Sequence, residues 1–570
     1  MSLLLKNGEE PPHSPRLITS HLGSALWYAV LTVLMTWPLA SRLGLMEAGD
    51  SSYFAWVVAW THHALLHDPL GLPHANTLHP LRYTLFLDES IVGTSLLALP
   101  LRVLTNDHIV LLNVVRLLTF FLTALGLRAL ALTLGLSPLG AFAVGALFSF
   151  SSNRVSSPAH LSVLGTQFLP LYFIFLHRWA HRGSARAAVL AGLFFGISAW
   201  TCGYHAVLAA AILPLPIVLL VENKAALKTA PLGLVTAALF LIPLRWFHQQ
   251  ALAPLGYERT AAETEFFSAP IEGLFSTSSS NLVWGALTEN LRSIVEANLF
   301  QGVTVLLLAA IALFTMRRGM PGRRLVVAYA VLALAALLVA LGPEVRLFGV
   351  TLCPGPFSWL RKFEMFRMIR VPARASVFLA LGLSMLAAIG LDRIRRPGLR
   401  IVLLLLALVE SMAAPLSVVA ADRCLRSSDP NPPIYDWLRA QPNEGAIIEL
   451  PILPNDGLFQ RPKFDDSVYL LRSTTHWRRL VNGYAGTEPR EYRRVRDAMS
   501  DFPTKAGVEM LRSLDVRVVL VHLRGFGPIR RSAMEARLPD FSSELREARR
   551  FGDDLAIEVR PAAPAKPPIE

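Results

Sequence analysis

Long runs of apolar residues recur along this chain and constrain its fold more than any other feature. Each run is close to the roughly 20 residues that a helix needs to cross the hydrocarbon core of a bilayer. Apolar residues make up 53% of the 570 residues, and charged residues only 17%. The chain is therefore predicted to be a polytopic α-helical membrane protein. About eleven transmembrane helices are expected, near residues 22–43, 109–131, 138–152, 162–177, 187–203, 206–221, 229–246, 299–316, 325–342, 374–391 and 401–420.

The net charge of +13 lies mainly in the loops between apolar runs, so it does not indicate a nucleic-acid partner. Loops rich in Lys and Arg face the cytoplasm in multi-pass proteins. This rule predicts a protein of the inner (cytoplasmic) membrane, with residues 1–21 in the cytoplasm and the C-terminal region outside. The scheme requires residues 90–106 to lie along the membrane interface or to re-enter. The loops concerned contain Arg178, Arg182, Arg186, Lys224, Lys228, Arg317, Arg318, Arg323, Arg324, Arg393, Arg395, Arg396 and Arg400.

The composition changes at about residue 421, where Asp, Arg and Pro become more frequent and apolar runs shorten. This change predicts a soluble, extracytoplasmic α+β domain over residues 421–560, followed by a flexible tail over 561–570. Its expected strands lie at 445–450 and 516–521, and its expected amphipathic helices at 490–500 and 506–514. The transmembrane domain, residues 22–420, then has three large outer loops: 44–108, 247–298 and 343–373.

The cysteines and histidines indicate no metal site and no disulfide framework. Cys202, Cys353 and Cys424 are the only cysteines, and they have neither metal-binding spacing nor a paired pattern. His62 and His63 are adjacent in a predicted helix and therefore point to different faces. No metal or other cofactor is predicted, and a divalent cation is left open without support.

One acidic residue, Asp50, follows the first apolar run at the expected boundary between membrane and water. A carboxylate is costly to place there, which makes it a candidate for function. Partial desolvation would suit it to act as a general base. The alternative is a structural role, in which Asp50 caps the aromatic, amphipathic stretch that begins at Tyr53. That stretch is expected to lie along the membrane interface.

Five short motifs follow one another in the first 250 residues: Gly49-Asp50, His79-Pro80, Ser149-Phe150-Ser151-Ser152, His160-Leu161 and Gln167-Phe168-Leu169-Pro170. Their order resembles the GT-C superfamily. These membrane glycosyltransferases use polyprenyl-phosphate-linked sugars and include protein O-mannosyltransferases and the aminoarabinose transferase of lipid A. The segments 370–374 and 479–484 look like those of an uncharacterised bacterial subgroup.

The resemblance implies a set of site residues. In that superfamily an acidic residue of the first outer loop activates the acceptor, and this role falls on Asp50. A second acidic site often lies further along the loop, where Asp88 and Glu89 are the candidates; both also fit a cap of the short helix that follows.

A phosphate leaving group needs cations, and Arg binds phosphate oxygens with two parallel hydrogen bonds. The neighbouring outer basic residues Arg361, Lys362 and Arg367 fit either the lipid phosphate or anionic headgroups at the membrane surface. The candidates for donor phosphate binding are Arg154, His160, His79, Arg82, Arg370 and Arg374.

The function implied by the resemblance is enzymatic. The enzyme would transfer a hexose or pentose from a polyprenyl-phosphate donor to an acceptor at the extracytoplasmic face, with inversion. Its partners would be this donor, the lipid bilayer and an unknown glycan, lipid or protein acceptor. The alternative is a non-enzymatic membrane scaffold or lipid-handling protein of envelope polysaccharide assembly.

Overall fold

Helices dominate the structure. In the described residues they are interrupted by two short antiparallel strand pairs and by one four-stranded sheet near the C-terminus. The pairs are β1 (Leu45–Glu47) with β4 (Val418–Ala420), and β2 (Glu344–Leu347) with β3 (Val350–Pro354). A computed structural model describes residues 20–47, 50–156, 159–256, 259–320, 322–420, 432–442, 444–452, 466–486 and 488–561. The predicted N-terminal segment 1–21 and the predicted tail 561–570 therefore lie almost entirely outside the described residues.

The longer helices of the first 420 residues follow the apolar runs of the sequence. They are α1 (His21–Met35), α2 (Ser51–His67), α3 (Val92–Ala98), α4 (His108–Thr133), α5 (Pro138–Ser149), α6 (Leu169–Arg182), α7 (Ala185–Thr201), α8 (Gly203–Ile212), α9 (Pro214–Leu220), α10 (Ala225–Leu252), α11 (Val303–Phe314), α12 (Arg323–Ala340), α13 (Ser376–Arg393) and α14 (Pro397–Ser411).

Each of the eleven predicted runs contains a helix, but fewer helices qualify as complete spans. Within the described residues, four are long and apolar enough to cross a membrane: α4, α10, α12 and α13, counted with their adjoining turns. The pair α8 and α9 is bent by 61° and makes a fifth if it is one span. Helices α1, α5, α7 and α11 are apolar but shorter. A count of eleven crossings therefore stays a prediction, as does the orientation of the termini.

Glycines let the apolar helices approach one another closely, as is common between membrane helices. A Cβ atom on Gly390 of α13 would lie 1.9 Å from the carbonyl oxygen of Leu308 on α11. A Cβ on Gly192 of α7 would lie 2.2 Å from the carbonyl oxygen of Gly233 on α10. Helix α13 is buried along most of its length and forms the centre of the packed helices.

The C-terminal region contains a mixed sheet that confirms the predicted strands. Its strand order is β5 (Ala446–Leu450), β6 (Val516–His522), β8 (Asp554–Val559) and β7 (Leu545–Phe551). Strands β5 and β6 are parallel, and the other two pairs are antiparallel. The predicted amphipathic helices are also present, at Arg490–Met499 and Lys505–Ser513. The boundary at residue 421 stays a prediction, because 421–431 is outside the described residues.

The aromatic stretch after Asp50 is covered by protein in the structure, and its position along the membrane interface stays a prediction. This stretch forms α2, and Tyr53, Phe54, Trp56 and Trp60 are at most 8% exposed. The helix packs against the C-terminal region, with the ring centroids of Trp60 and Trp477 5.9 Å apart. The C-terminal region supplies the apolar surface that the sequence pattern had assigned to lipid.

A buried ion cluster lies at the carboxyl ends of β5 and β6. His522 Nε2 is 2.9 Å from Glu449 Oε2, and His522 Nδ1 is 2.9 Å from Asp554 Oδ1. Burial lowers the pKa of His522, but the hydrogen bonds to Asp554 and Glu449 outweigh it and raise the pKa from 6.5 to about 9. The protonated imidazole therefore balances the two carboxylates around it.

This cluster makes the stability of the sheet sensitive to alkaline pH. A raised pKa means that the stabilisation is complete below the unfolded value of 6.5 and is lost as the pH rises through about 9. The free energy of opening of β5 and β6, measured by hydrogen exchange, should fall by roughly 3 kcal/mol over that interval. His522→Gln should remove most of this dependence. The same alkaline loss in His522→Gln would contradict the assignment.

Candidate active site around Asp50

Asp50 occupies the position before α2, but its side chain is used elsewhere. Its carbonyl oxygen accepts the first helical hydrogen bond from the Phe54 N–H at 2.9 Å, while its carboxylate makes no capping hydrogen bond. Instead, Oδ1 accepts from the Tyr484 hydroxyl at 2.6 Å, and Oδ2 lies 3.2 Å from His160 Nε2. The backbone of Asp50 therefore begins α2, as the structural alternative predicts, but its carboxylate contacts Tyr484 and His160 and does not cap the helix.

The surroundings of His160 favour its charged form. It lies between two single-turn helices, Ser152–Val155 and Leu161–Leu164. Burial lowers the pKa of His160, but the hydrogen bond to Asp50 and the charges of Glu296 and Asp50 outweigh it and raise the pKa above its ordinary value. When His160 is protonated, it forms an ion pair with Asp50.

A cavity opens beside this pair, where the turn after α5 meets the beginning of α13. Its empty volume is about 530 Å³, including the part open to solvent. Its lining combines charged and polar side chains with apolar ones. The lining residues are Ser151, Asn153, Arg154, His160, Val163, Leu164, Glu296, Arg374, Ser376, Val377 and Ala380.

Arg374 is fixed at the rim of this cavity by an acidic and an aromatic partner. Its Nε and Nη2 atoms donate to Glu296 Oε1 at 3.2 and 2.9 Å. Its guanidinium lies 4.5 Å from the centroid of the Tyr204 ring. Burial raises the pKa of Glu296, but Arg374 and His160 outweigh it and lower the pKa, so Glu296 is ionised. The guanidinium therefore has a defined orientation before any ligand binds.

Arg154 also lines the cavity, is buried, and has one donor atom without a hydrogen-bond partner. Its guanidinium lies 5.5 Å from the Phe120 ring centroid and 5.0 Å from that of Phe148. Nε and Nη2 donate to the carbonyl oxygens of Ser149 and Leu164, at 3.3 and 3.1 Å. The Nη1 atom is buried without a hydrogen-bond partner.

Other buried polar atoms around this cavity also lack a hydrogen-bond partner. Buried donors without a partner cost roughly 1–3 kcal/mol each, so a group of them calls for an explanation. A ligand rich in hydrogen-bond acceptors, such as an anion, would satisfy them. The atoms are Ser151 Oγ, Asn153 Nδ2 and His160 Nδ1, together with Ser149 Oγ and Ser156 Oγ nearby.

Arg116 is a charged residue within an apolar run, and it contacts the residues next to Asp50 and His160. Its Nη2 atom donates to Ser51 Oγ at 2.8 Å and to the Ala159 carbonyl oxygen at 3.4 Å. Arg116 therefore ties α4 to the residue after Asp50 and to the residue before His160. Arg116 was not among the predicted site residues, although a buried charge within a span is a signal of function.

The second acidic pair, Asp88 and Glu89, does not cap the helix that follows. That helix, α3, has no side-chain cap. Glu89 instead accepts from the Gly203 N–H at the beginning of α8, at 3.1 Å. Burial raises the pKa of Glu89 to about 7, with Arg374 opposing and Asp88 reinforcing the shift. Asp88 accepts from the Gly486 N–H at 3.0 Å.

The remaining candidate cations lie apart from the cavity lining. The main-chain N–H of His79 donates to the Leu480 carbonyl oxygen at 3.0 Å, and Arg82 is exposed. Arg370 pairs with Glu263 at 2.9 Å. The structure thus brings Asp50, His160, Arg154 and Arg374 together, and a phosphate-binding role for the other three stays a prediction. In the described part of the chain, no group of three or more His, Cys, Asp or Glu residues could hold a metal ion.

The fold is shared with known membrane glycosyltransferases. The mycobacterial arabinofuranosyltransferase AftD matches with a TM-score of 0.57 and 15% identity over 96% of this chain, which spans about 40% of that protein's length. This chain therefore has the GT-C fold, as the sequence resemblance predicted. No family model and no curated protein matches the sequence.

Two further solved structures match with lower scores. The archaeal oligosaccharyltransferase AglB from Archaeoglobus fulgidus, in complex with an inhibitory peptide and a dolichol-phosphate, has a TM-score of 0.45 and 12% identity, over 96% of this chain and 75% of its own. ArnT from Cupriavidus metallidurans has a TM-score of 0.42 and 13% identity, over 94% and 96%.

Proposed function

We propose that this protein is a GT-C glycosyltransferase that moves a sugar from a polyprenyl-phosphate donor to an acceptor hydroxyl at the extracytoplasmic face, with inversion. The observation that carries the proposal is the Asp50–His160 pair beside a cavity lined by Arg374 and by buried donors without partners. The fold shared with an arabinofuranosyltransferase supports the reaction class.

The geometry suits a single displacement. The acceptor oxygen attacks the anomeric carbon of the sugar as Asp50 takes the proton of the acceptor hydroxyl. The bond between the anomeric carbon and the phosphate oxygen breaks, and its electron pair leaves with the phosphate. Arg374 and Arg154 offer charge to that phosphate, and His160 keeps the Asp50 carboxylate in place. One displacement inverts the configuration of the anomeric carbon.

A second cavity supports a lipid-linked donor. It has an empty volume of about 950 Å³, and the loop that carries Glu296 of the first cavity forms one of its sides. Asn281 of this loop donates to Ser152 Oγ at 3.2 Å, which joins it to the turn around Arg154. An isoprenoid chain would fit such an apolar surface. The lining residues are Phe275, Trp284, Leu287, Thr288, Phe300, Val303, Leu306, Leu307 and Ala310.

A substitution that fills this second cavity should affect the KM of a donor according to the length of its prenyl chain. Leu307→Trp adds bulk at its wall, so the KM for a long polyprenyl-phosphate sugar should rise about tenfold, which corresponds to ~1.4 kcal/mol. The KM for a donor with a short prenyl chain should stay unchanged. Leu313→Trp, on the same helix but outside the cavity lining, is the matched control. Equal effects on both donors would contradict a chain-binding role.

The proposed function is tested by reconstitution. The purified protein in proteoliposomes would receive radiolabelled polyprenyl-phosphate arabinose, mannose, glucose or galactose, together with glycan, lipid and peptide acceptors. Transfer from at least one donor supports the proposal. Binding of the lipid phosphate without transfer from any donor would overturn it in favour of the non-enzymatic, lipid-handling alternative.

A further inference from the structure

We infer that Tyr484, a residue of the C-terminal region, is a positioning residue for Asp50, and that the segment 480–486 is an integral part of the active site. The inference rests on the proposed function, because it assigns Asp50 the role of the base. The tyrosine hydroxyl donates to Asp50 Oδ1 at 2.6 Å across a separation of 434 residues. The Tyr484 ring also packs against Tyr53 of α2, with the centroids 5.4 Å apart.

One end of the segment is anchored to the sheet. The side chain of Asn482 accepts from the Glu449 N–H at 2.7 Å and donates to the Glu449 carbonyl oxygen at 2.9 Å. The Asn482 carbonyl oxygen accepts from the Leu78 N–H at 3.0 Å. The chain then passes so close to Leu78 that a Cβ atom on Gly483 would lie 2.1 Å from its Cγ. The backbone that precedes Tyr484 is therefore fixed between strand β5 and the first outer loop.

The other end of the segment is anchored to a second acidic residue. The Gly486 N–H donates to Asp88 Oδ2 at 3.0 Å, and the Gly486 carbonyl oxygen accepts from Arg259 Nη1 at 3.4 Å. Asp50 and Asp88, the two aspartates that the sequence singled out, thus both accept from residues of one short segment. Tyr484 lies between these anchors, so its hydroxyl reaches Asp50 in a defined geometry.

The hydroxyl has a direct chemical consequence for Asp50. A hydrogen bond donated to the charged form of a carboxylate favours that form. Tyr484 on one oxygen and His160 on the other favour the ionised carboxylate and hold it in one orientation. Glu47, Arg116 and Glu296 also act on Asp50 through their charges, and Tyr484→Phe leaves all three in place. Without the tyrosine hydroxyl, Asp50 would stay protonated up to a higher pH, and it could act as a base over a narrower range of pH.

Tyr484→Phe tests this role, because it removes the hydroxyl and keeps the ring against Tyr53. The kcat of sugar transfer should fall about tenfold, and the acid limb of the pH–rate profile should move up by about one pH unit. The KM for the donor should not change. Tyr28→Phe is the matched control: Tyr28 also has a buried hydroxyl, which lies away from Asp50 and donates to the Phe142 carbonyl oxygen at 2.9 Å, so its loss should leave the acid limb in place.

A second measurement does not depend on activity. Carbodiimides react with protonated carboxyl groups, so labelling of Asp50, followed by mass spectrometry across pH, should extend to higher pH in Tyr484→Phe. If the wild-type protein transfers sugar from none of the donors, the proposed function is overturned. The labelling would still decide the role of Tyr484. An unchanged acid limb in active Tyr484→Phe, or unchanged labelling, would overturn the inference.

Discussion

Asp50→Asn is expected to lower the kcat of sugar transfer by about 10³-fold, the largest effect of any single substitution in this protein. The amide has the shape of the carboxylate but cannot take the proton of the acceptor hydroxyl, and a general base contributes roughly 10²–10⁴-fold. The KM for the donor should change little, because Asp50 contacts His160 and Tyr484 and does not line the phosphate cavity. Initial rates in proteoliposomes measure both quantities.

Asp107→Asn is the matched control for this substitution. Asp107 lies at the end of the same outer loop and caps α4 by accepting from the N–H groups of Ile109 and Val110. Because Asn is as good a helix cap as Asp, this variant should keep full activity. Full activity in Asp50→Asn, with folding and donor binding intact, would remove Asp50 from the mechanism.

Local sequence patterns account for most of the helices and for two of the strands. Each apolar run contains a helix, because apolar side chains can be buried in lipid or in protein, and the number that cross the membrane stays a prediction. Strands β5 and β6 were recognisable as short β-branched runs. Strands β7 and β8 were not recognisable from the sequence. Strand β7 is rich in Arg and Glu because it lies at the exposed edge of the sheet. The burial of α2 was missed for a related reason: its aromatic side chains fit either lipid or protein.

The site was only partly visible in the sequence because its contacts are long-range. Asp50 was identified from its position after an apolar run, but its partners His160 and Tyr484 lie far along the chain. Nothing local to Glu296 indicates that it holds Arg374. The segment 479–484 was noticed as a motif, yet only the three-dimensional arrangement shows that its tyrosine contacts Asp50. Motifs indicated which residues matter, and the fold decided which of them meet.

The outer basic run from Arg361 to Arg374 divides into two parts in the structure. Lys362 lies 5.1 Å from the Trp359 ring centroid, and the Trp359 side chain is 70% exposed, as is typical of contact with headgroups. Arg374, by contrast, is enclosed at the cavity rim beside Glu296. The surroundings of Lys362 favour the headgroup alternative and those of Arg374 favour the donor phosphate, and both assignments stay predictions.

Arg374→Gln is expected to lower kcat/KM for the donor by roughly 10²–10³-fold, the second large effect. Its guanidinium would stabilise the charge that develops on the leaving phosphate, and losing such a group typically costs about this much. Arg374→Lys should recover only part of the activity, because an ammonium lacks the planar fork that binds two phosphate oxygens. Arg346→Gln is the matched control: Arg346 pairs with Glu265 at 3.2 Å and is not part of the cavity lining.

The fall in kcat/KM in Arg374→Gln could have a second cause. The substitution removes the guanidinium that pairs with the Glu296 carboxylate in the cavity wall. An unpaired buried charge is costly and would itself repel a phosphate. The double variant Arg374→Gln/Glu296→Gln removes both charges and separates the two effects. If Arg374 binds the phosphate, the double variant stays as impaired as Arg374→Gln. Recovery of wild-type kcat/KM in the double variant would show instead that Arg374 serves only to neutralise Glu296.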